Sequence, residues 1–206
     1  MKRKFDQVYQ FKITLQDIKP PVWRRIQVPE TYSFWDLHVA IQDTFGWLDY
    51  HLHRFEMINP STGVKVEIGI PDEEIGIPDE EFEWDREILP GWKQKISNYF
   101  SMESKSADYT YDFGDNWEHK IKLEKMLPRD KNVGYPICIA GRRACPPEDC
   151  GSIPGYEHLL EIIENPHHEE YEEMMEWLGG GFDPEHFDAK EVVFDDPDER
   201  RKIAFE

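Results

Sequence analysis

The sequence predicts an α+β fold: an antiparallel sheet built from hairpins, with one early helix and a C-terminal helical pair. Three observations predict it. Apolar residues alternate with polar ones at 8–16, 51–58 and 109–124, the period of a half-buried strand. A single amphipathic helical stretch interrupts the strands early, and two more follow only after residue 151. Strands first and helices last favour antiparallel pairing over the βαβ order of a parallel sheet. The expectation is one α+β domain over 1–194, with an acidic loop insertion at about 67–87 and a charged tail at 195–206.

In order, Tyr9, Phe11, Ile13 and Leu15 share one face of the first strand. Pro20-Pro21 marks the connection to a second run, Val22 to Val28, which ends at Pro29. Ser33 with Asp36 forms a capping box in which Asp replaces the usual Glu, and Phe34, Leu37, Ile41 and Phe45 recur at helical spacing until Gly46. His51, His53, Phe55 and Met57 then share a strand face, and the turn cluster 59–63 leads to a return strand on Val64, Val66 and Ile68. Glu-Ile-Gly-Ile-Pro-Asp-Glu occurs twice in tandem, at 67–73 and 74–80, and reads as a surface loop expanded by duplication. Trp92, Ile96 and Tyr99 predict a short helix.

The stretch 109–124 is too long for one ordinary strand and contains Gly114-Asp115-Asn116, which tolerate a turn. A three-residue loop there pairs Phe113 with Trp117, Tyr111 with His119 and Tyr109 with Ile121, keeping all six on one face. After Leu127-Pro128 the chain reads as loop through Gly151. Two helices follow, one carrying Tyr156, Leu159, Leu160 and Ile163, the other Tyr171, Met174, Met175 and Leu178. The segment 182–188 suggests a last short helix, and the tail from Asp195 suggests a frayed end.

The formal charge of −19 is concentrated: residues 67–87 hold ten acids against one base, and residues 148–206 nineteen against four. Such a chain is a poor match for phosphate backbones, which favours a small ligand or a protein partner over nucleic acid. The local cations Trp23-Arg24-Arg25 and Arg142-Arg143 are few. No apolar run reaches the roughly twenty residues of a membrane span, and no secretory signal follows the basic N-terminus. Three cysteines do not suggest a disulfide scaffold, so a cytoplasmic protein is expected.

Chemistry-bearing residues fall in two groups. His51 and His53 on one strand, and Asp115 and His119 on the hairpin, are polar interruptions of apolar faces, and Tyr111 and Trp117 complete a candidate binding pocket. Imidazoles two apart on a strand project together and can share a ligand or metal, with a carboxylate to orient them. The competing account is that each imidazole bonds to backbone or tyrosine within the core. The second group is Cys138, Cys145 and Cys150. Cys145 and Cys150, separated by four residues, lie at the edge of zinc-knuckle spacing, and zinc is the cofactor such a set would take; a packed structural loop is the alternative. Phosphate-binding, dinucleotide, HExxH and GxSxG motifs are missing.

Four stretches, Trp23-Arg24-Arg25, Gly46-Trp47-x-x-Tyr50-His51-Leu52-His53-x-Phe55, Tyr111-Asp112-Phe113-Gly114-Asp115-x-Trp117-x-His119 and Arg143-Ala144-Cys145-Pro146-Pro147-Glu148-Asp149-Cys150-Gly151, resemble the plasmid pRiA4b ORF-3-like family over roughly residues 5–190. The resemblance implies an α+β domain of prokaryotic, often mobile-element, origin and carries no assigned activity. Ser152 departs from the Gly-Gly common after the second cysteine of the motif. Two functions stay open: a non-catalytic module binding a ligand between the aromatic hairpin and the His51/His53 strand, or a metal-dependent hydrolase or nuclease using His51, His53, Asp115 and His119.

Overall fold

The computed structural model describes residues 4–71 and 87–205. Its strands are β1 (Gln7–Leu15), β2 (Trp23–Pro29), β3 (His53–Ile58), β4 (Lys65–Gly69), β5 (Ile88–Pro90), β6 (Ser106–Tyr111), β7 (Trp117–Pro128) and β8 (Ile137–Arg142). They form one sheet in the order β5-β4-β3-β6-β7-β1-β2-β8. The sheet is α+β in kind and mostly antiparallel; the short β5 pairs parallel with β4. The whole second heptad copy, and the body of the acidic 67–87 segment, lie outside the described residues. The first copy begins inside β4, where Ile68 is buried.

Helix α1 (Phe34–Phe45) closes one face of the sheet. The Ser33/Asp36 capping box is formed in both directions, and Gly46 ends the helix in the left-handed conformation that a glycine adopts without strain. Phe34, Leu37, Ile41 and Phe45 face the sheet with Phe11, Phe55 and Tyr109, and are fully or almost fully buried. Burial of each such side chain contributes about 1.5–3 kcal/mol before entropy is counted. The outer side of α1 is buried too. Helix α4 (Pro197–Phe205) lies over it, with the Trp35 indole donating to the Pro197 carbonyl at 2.9 Å and Arg200 reaching Asp43 at 2.7 Å. The expected frayed tail is therefore a docked helix, held because α1 offers an indole and a carboxylate on its outer face.

Three other expectations are corrected. The 128–151 stretch contains β8, an edge strand on β2; half-exposed and bulged between Arg25 and Ile26, it lacks the alternation that marks the inner strands. Residues 182–188 form turns rather than a helix, and the Phe187 ring lies so close over Gly141 that a Cβ there would meet it at 2.3 Å. The predicted helix around Trp92 is two short 3-10 turns, Gly91–Lys93 and Ile96–Asn98. After β8 come α2 (Ser152–Glu164), which buries Tyr156, Leu159 and Ile162, and α3 (Tyr171–Trp177), which buries none of its residues.

The central hairpin keeps its parity but not its register. Tyr111 pairs with Trp117 and Tyr109 with His119, so the loop spans 112–116 and the pairing of Phe113 with Trp117 is overturned. Asp112 and Asn116 both take φ of 55°, the Asn116 amide donates to the Asp112 carbonyl at 2.6 Å, and the Gly114 amide donates to Asp112 Oδ1 at 2.9 Å. An Asx turn thus lengthens the loop by one pair, and its odd length preserves the apolar face. Phe113 is left exposed beside the Arg54 guanidinium.

Candidate functional site

Three segments meet at one end of the sheet. The 46–51 turn follows α1, the 112–116 loop joins β6 to β7, and the Pro146–Gly151 loop precedes α2. The Trp47 indole donates to the Pro146 carbonyl at 2.9 Å, and the Leu48 amide donates to Glu148 Oε1 at 2.7 Å. The Tyr111 hydroxyl donates to the same carboxylate oxygen at 3.0 Å and accepts the Tyr50 amide at 3.1 Å. Burial, then the adjacent Glu148 carboxylate, push the Tyr111 phenol well above its ordinary range, so it stays a donor. Asp115 ties the third segment: Gly151 N–H donates to its carboxylate at 3.2 Å and Ser152 Oγ to its carbonyl at 2.7 Å. Gly155 sits against this loop so tightly that a Cβ would lie 1.9 Å from the Cys150 carbonyl oxygen.

At this junction His51 Nε2 donates to Asp149 Oδ1 at 3.0 Å and faces Asp112 Oδ2 at 3.7 Å. Among the described residues these three form the group of His, Cys, Asp and Glu whose ligand atoms all lie within 4.8 Å of one another. Beside Asp149 opens a cleft of about 470 Å³, lined by Pro147, Glu148, Asp149, Trp177, Leu178, Gly181 and Phe182. A neighbouring hollow of about 290 Å³ shares Asp149 and Trp177 and adds Cys150, Glu170, Glu173 and Met174.

The four residues named for metal chemistry do not converge. His51 lies in the bend before β3, so it and His53 do not share a strand face. His53 is buried under α1, stacked on His38 with ring centroids 3.4 Å apart, and neither of its nitrogens has a partner among the described residues. His38 is held by the Tyr109 hydroxyl at 2.9 Å and Asp49 at 2.8 Å. His119 is buried against Trp47 and Phe45 and donates from Nδ1 to the Trp117 carbonyl at 3.0 Å. Desolvation holds both imidazoles neutral, pushing His119 down to about 3 and His53 well below its ordinary value. Trp117 is buried with them. His53, Tyr111, Trp117 and His119, four of the residues expected to line a pocket between hairpin and β3, are thus buried side chains.

Nor do the cysteines assemble a three-ligand set among the described residues. All three are free thiols. Burial raises Cys145 well above the thiol range and Cys150 to about 12, leaving both protonated and weakly nucleophilic. Arg24, buried next to Cys145 and Cys138, is spent on carbonyls, donating to Thr44 O at 2.7 Å and Arg142 O at 3.1 Å.

Residues 7–191 match the model of the plasmid pRiA4b ORF-3-like protein family. The chain belongs to that family. An uncharacterised protein, y4hQ, of Sinorhizobium fredii is 37% identical over 172 residues, 84% of this chain and 81% of that one. The crystal structure of MM3350, a protein of unknown function from Methanosarcina mazei Go1, superposes with a TM-score of 0.82 at 51% identity, covering 93% of this chain and 100% of that one. In this family member Ser152 takes φ of 65°, where glycine is unstrained, and its hydroxyl bond to Asp115 compensates for the departure. The family stretches around His51, Asp112 and Asp149 are those that meet at the junction. Asp112 and Asp149 were not singled out from sequence, because one sat on a polar strand face and the other among loop charges. Their shared membership of the family stretches was the available signal.

Proposed function

We propose that this family member is a non-catalytic binding module whose ligand enters the cleft around Trp177 and carries a cationic group, such as the ammonium or guanidinium of a basic peptide. The observation that carries this reading is the lining. Glu148, Asp149, Glu170 and Glu173 surround Trp177, no Lys or Arg among the described residues joins the lining, and Trp177 stands 51% exposed. Acidic walls focus a negative potential into the cleft, and an exposed indole face adds cation–π attraction. The chain's charge of −19 extends the same preference to longer range. A cytoplasmic setting is part of this reading and is supported by three free thiols. Among the described residues no helix is long and apolar enough to cross a membrane.

A fluorescently labelled Arg/Lys octapeptide, followed by anisotropy, tests it. Binding is expected to weaken at least fivefold in Trp177→Ala and to fall with added salt, while a Glu/Asp octapeptide does not bind. Equal affinity in wild type and Trp177→Ala, or equal binding of the two peptides, contradicts the reading.

The hydrolase alternative with His51, His53, Asp115 and His119 has no comparable support. Two of its four residues are sealed in the core, and the Asp115 carboxylate accepts a backbone amide.

A further inference from the structure

We propose that His51 Nε2, Asp112 Oδ2 and Asp149 Oδ1 bind one divalent transition-metal cation that staples the three segments of the junction. The site is separate from the Trp177 cleft, although Asp149 borders both. Asp112 carries the inference furthest. Its side chain is nine-tenths buried, only 10% exposed, and Oδ1 is taken by the Gly114 amide. Oδ2 makes no hydrogen bond among the described residues and points at His51 from 3.7 Å. Its one ion-pair contact is His51, whose Nε2 proton is already directed at Asp149, 3.0 Å away, so a carboxylate lone pair of Oδ2 stays turned into the group.

Charge and geometry agree on the occupant. Two carboxylates with a neutral imidazole carry two negative charges, which a divalent cation cancels. Metal–ligand bonds of about 2.1 Å set neighbouring ligand atoms roughly 3.0–3.4 Å apart in octahedral or tetrahedral sites. The imidazole nitrogen lies 3.0 and 3.7 Å from the two carboxylate oxygens, within a few tenths of an ångström of that spacing. One nitrogen and two oxygens suit zinc or manganese rather than a soft, thiolate-bound ion, and three protein ligands leave positions open for water. Because the ligands come from the 46–51 turn, the hairpin loop and the Pro146–Gly151 loop, the cation would fix the segment that walls the Trp177 cleft.

Calorimetric titration of chelator-treated protein with zinc chloride tests the site. One equivalent should bind, at least tenfold more weakly in His51→Ala and in Asp149→Asn, with Cys150→Ser and Trp177→Ala unchanged. Asp149 is largely exposed, so its variant folds even if an Asp112 variant does not. Absence of binding, unchanged affinity in both ligand variants, or loss in Cys150→Ser overturns the proposal. A peptide result that fails at Trp177 leaves this outcome untouched.

Discussion

His51 and His53 stand two residues apart and have opposite fates. His53 begins β3, enters the core, stacks on His38 and is kept neutral by burial. His51 stays in the bend outside the strand, partly exposed, between two carboxylates. The same contrast divides the site residues at large. Buried polar groups such as His38 and Gln42 of α1 bond to the Tyr109 hydroxyl on the sheet beneath and serve packing. Those at the loop junction lie nearer the surface, with His51 partly and Asp149 largely exposed, and Asp149 also lines the cleft. Polar residues on an apolar face are therefore a guide to core architecture here, and the proposed cation site lies just past the strand ends, where three loops meet.

The largest expected effect comes from acid. His53 and His119 have folded pKa values depressed by burial, His119 to about 3, whereas an unfolded His titrates near 6.5. Below about pH 6.5 the unfolded chain binds protons that the folded chain refuses, so stability is full above that pH and falls as pH drops toward the folded values. Each residue contributes a slope of about 1.4 kcal/mol per pH unit. Denaturant melts between pH 6 and 4.5 should show the slope of both, and His53→Phe should remove one proton from it. An unchanged slope in that variant would place His53 in contact with water.

Next in size is Tyr109→Phe. Its hydroxyl meets both His38 Nδ1 and Gln42 Nε2. Removing it orphans two buried groups, at a cost of about 1–3 kcal/mol for each unsatisfied one. His51→Ala, by contrast, should change stability by less than about 1 kcal/mol in metal-free protein, since exposed pairs contribute little. Urea midpoints of the two variants compare the regions directly, and equal losses would erase the distinction between them.

Much of the fold was legible because local rules and tertiary packing agree there. The capping box at Ser33, the stop at Gly46 and the alternation of β1 each follow from a few neighbouring residues. The hairpin register was not, since parity alone cannot distinguish loops of three and five residues, and the left-handed Asp112 and Asn116 decide it. Edge strand β8 and helix α4 were hidden for a related reason: each is held by a surface supplied from elsewhere, β2 in one case and Trp35 with Asp43 in the other. At the site, His51 was visible but its partners were not, because Asp112 and Asp149 gain their roles only when distant loops converge.

The most direct test follows the imidazole nitrogen resonances of all the histidines while zinc is added at pH 6.5. His51 Nε2 should shift on binding one equivalent, with His53 and His119 unmoved as neutral imidazoles. A zinc response at His53 or His119, with His51 silent, would return the chemistry to the core and contradict the account.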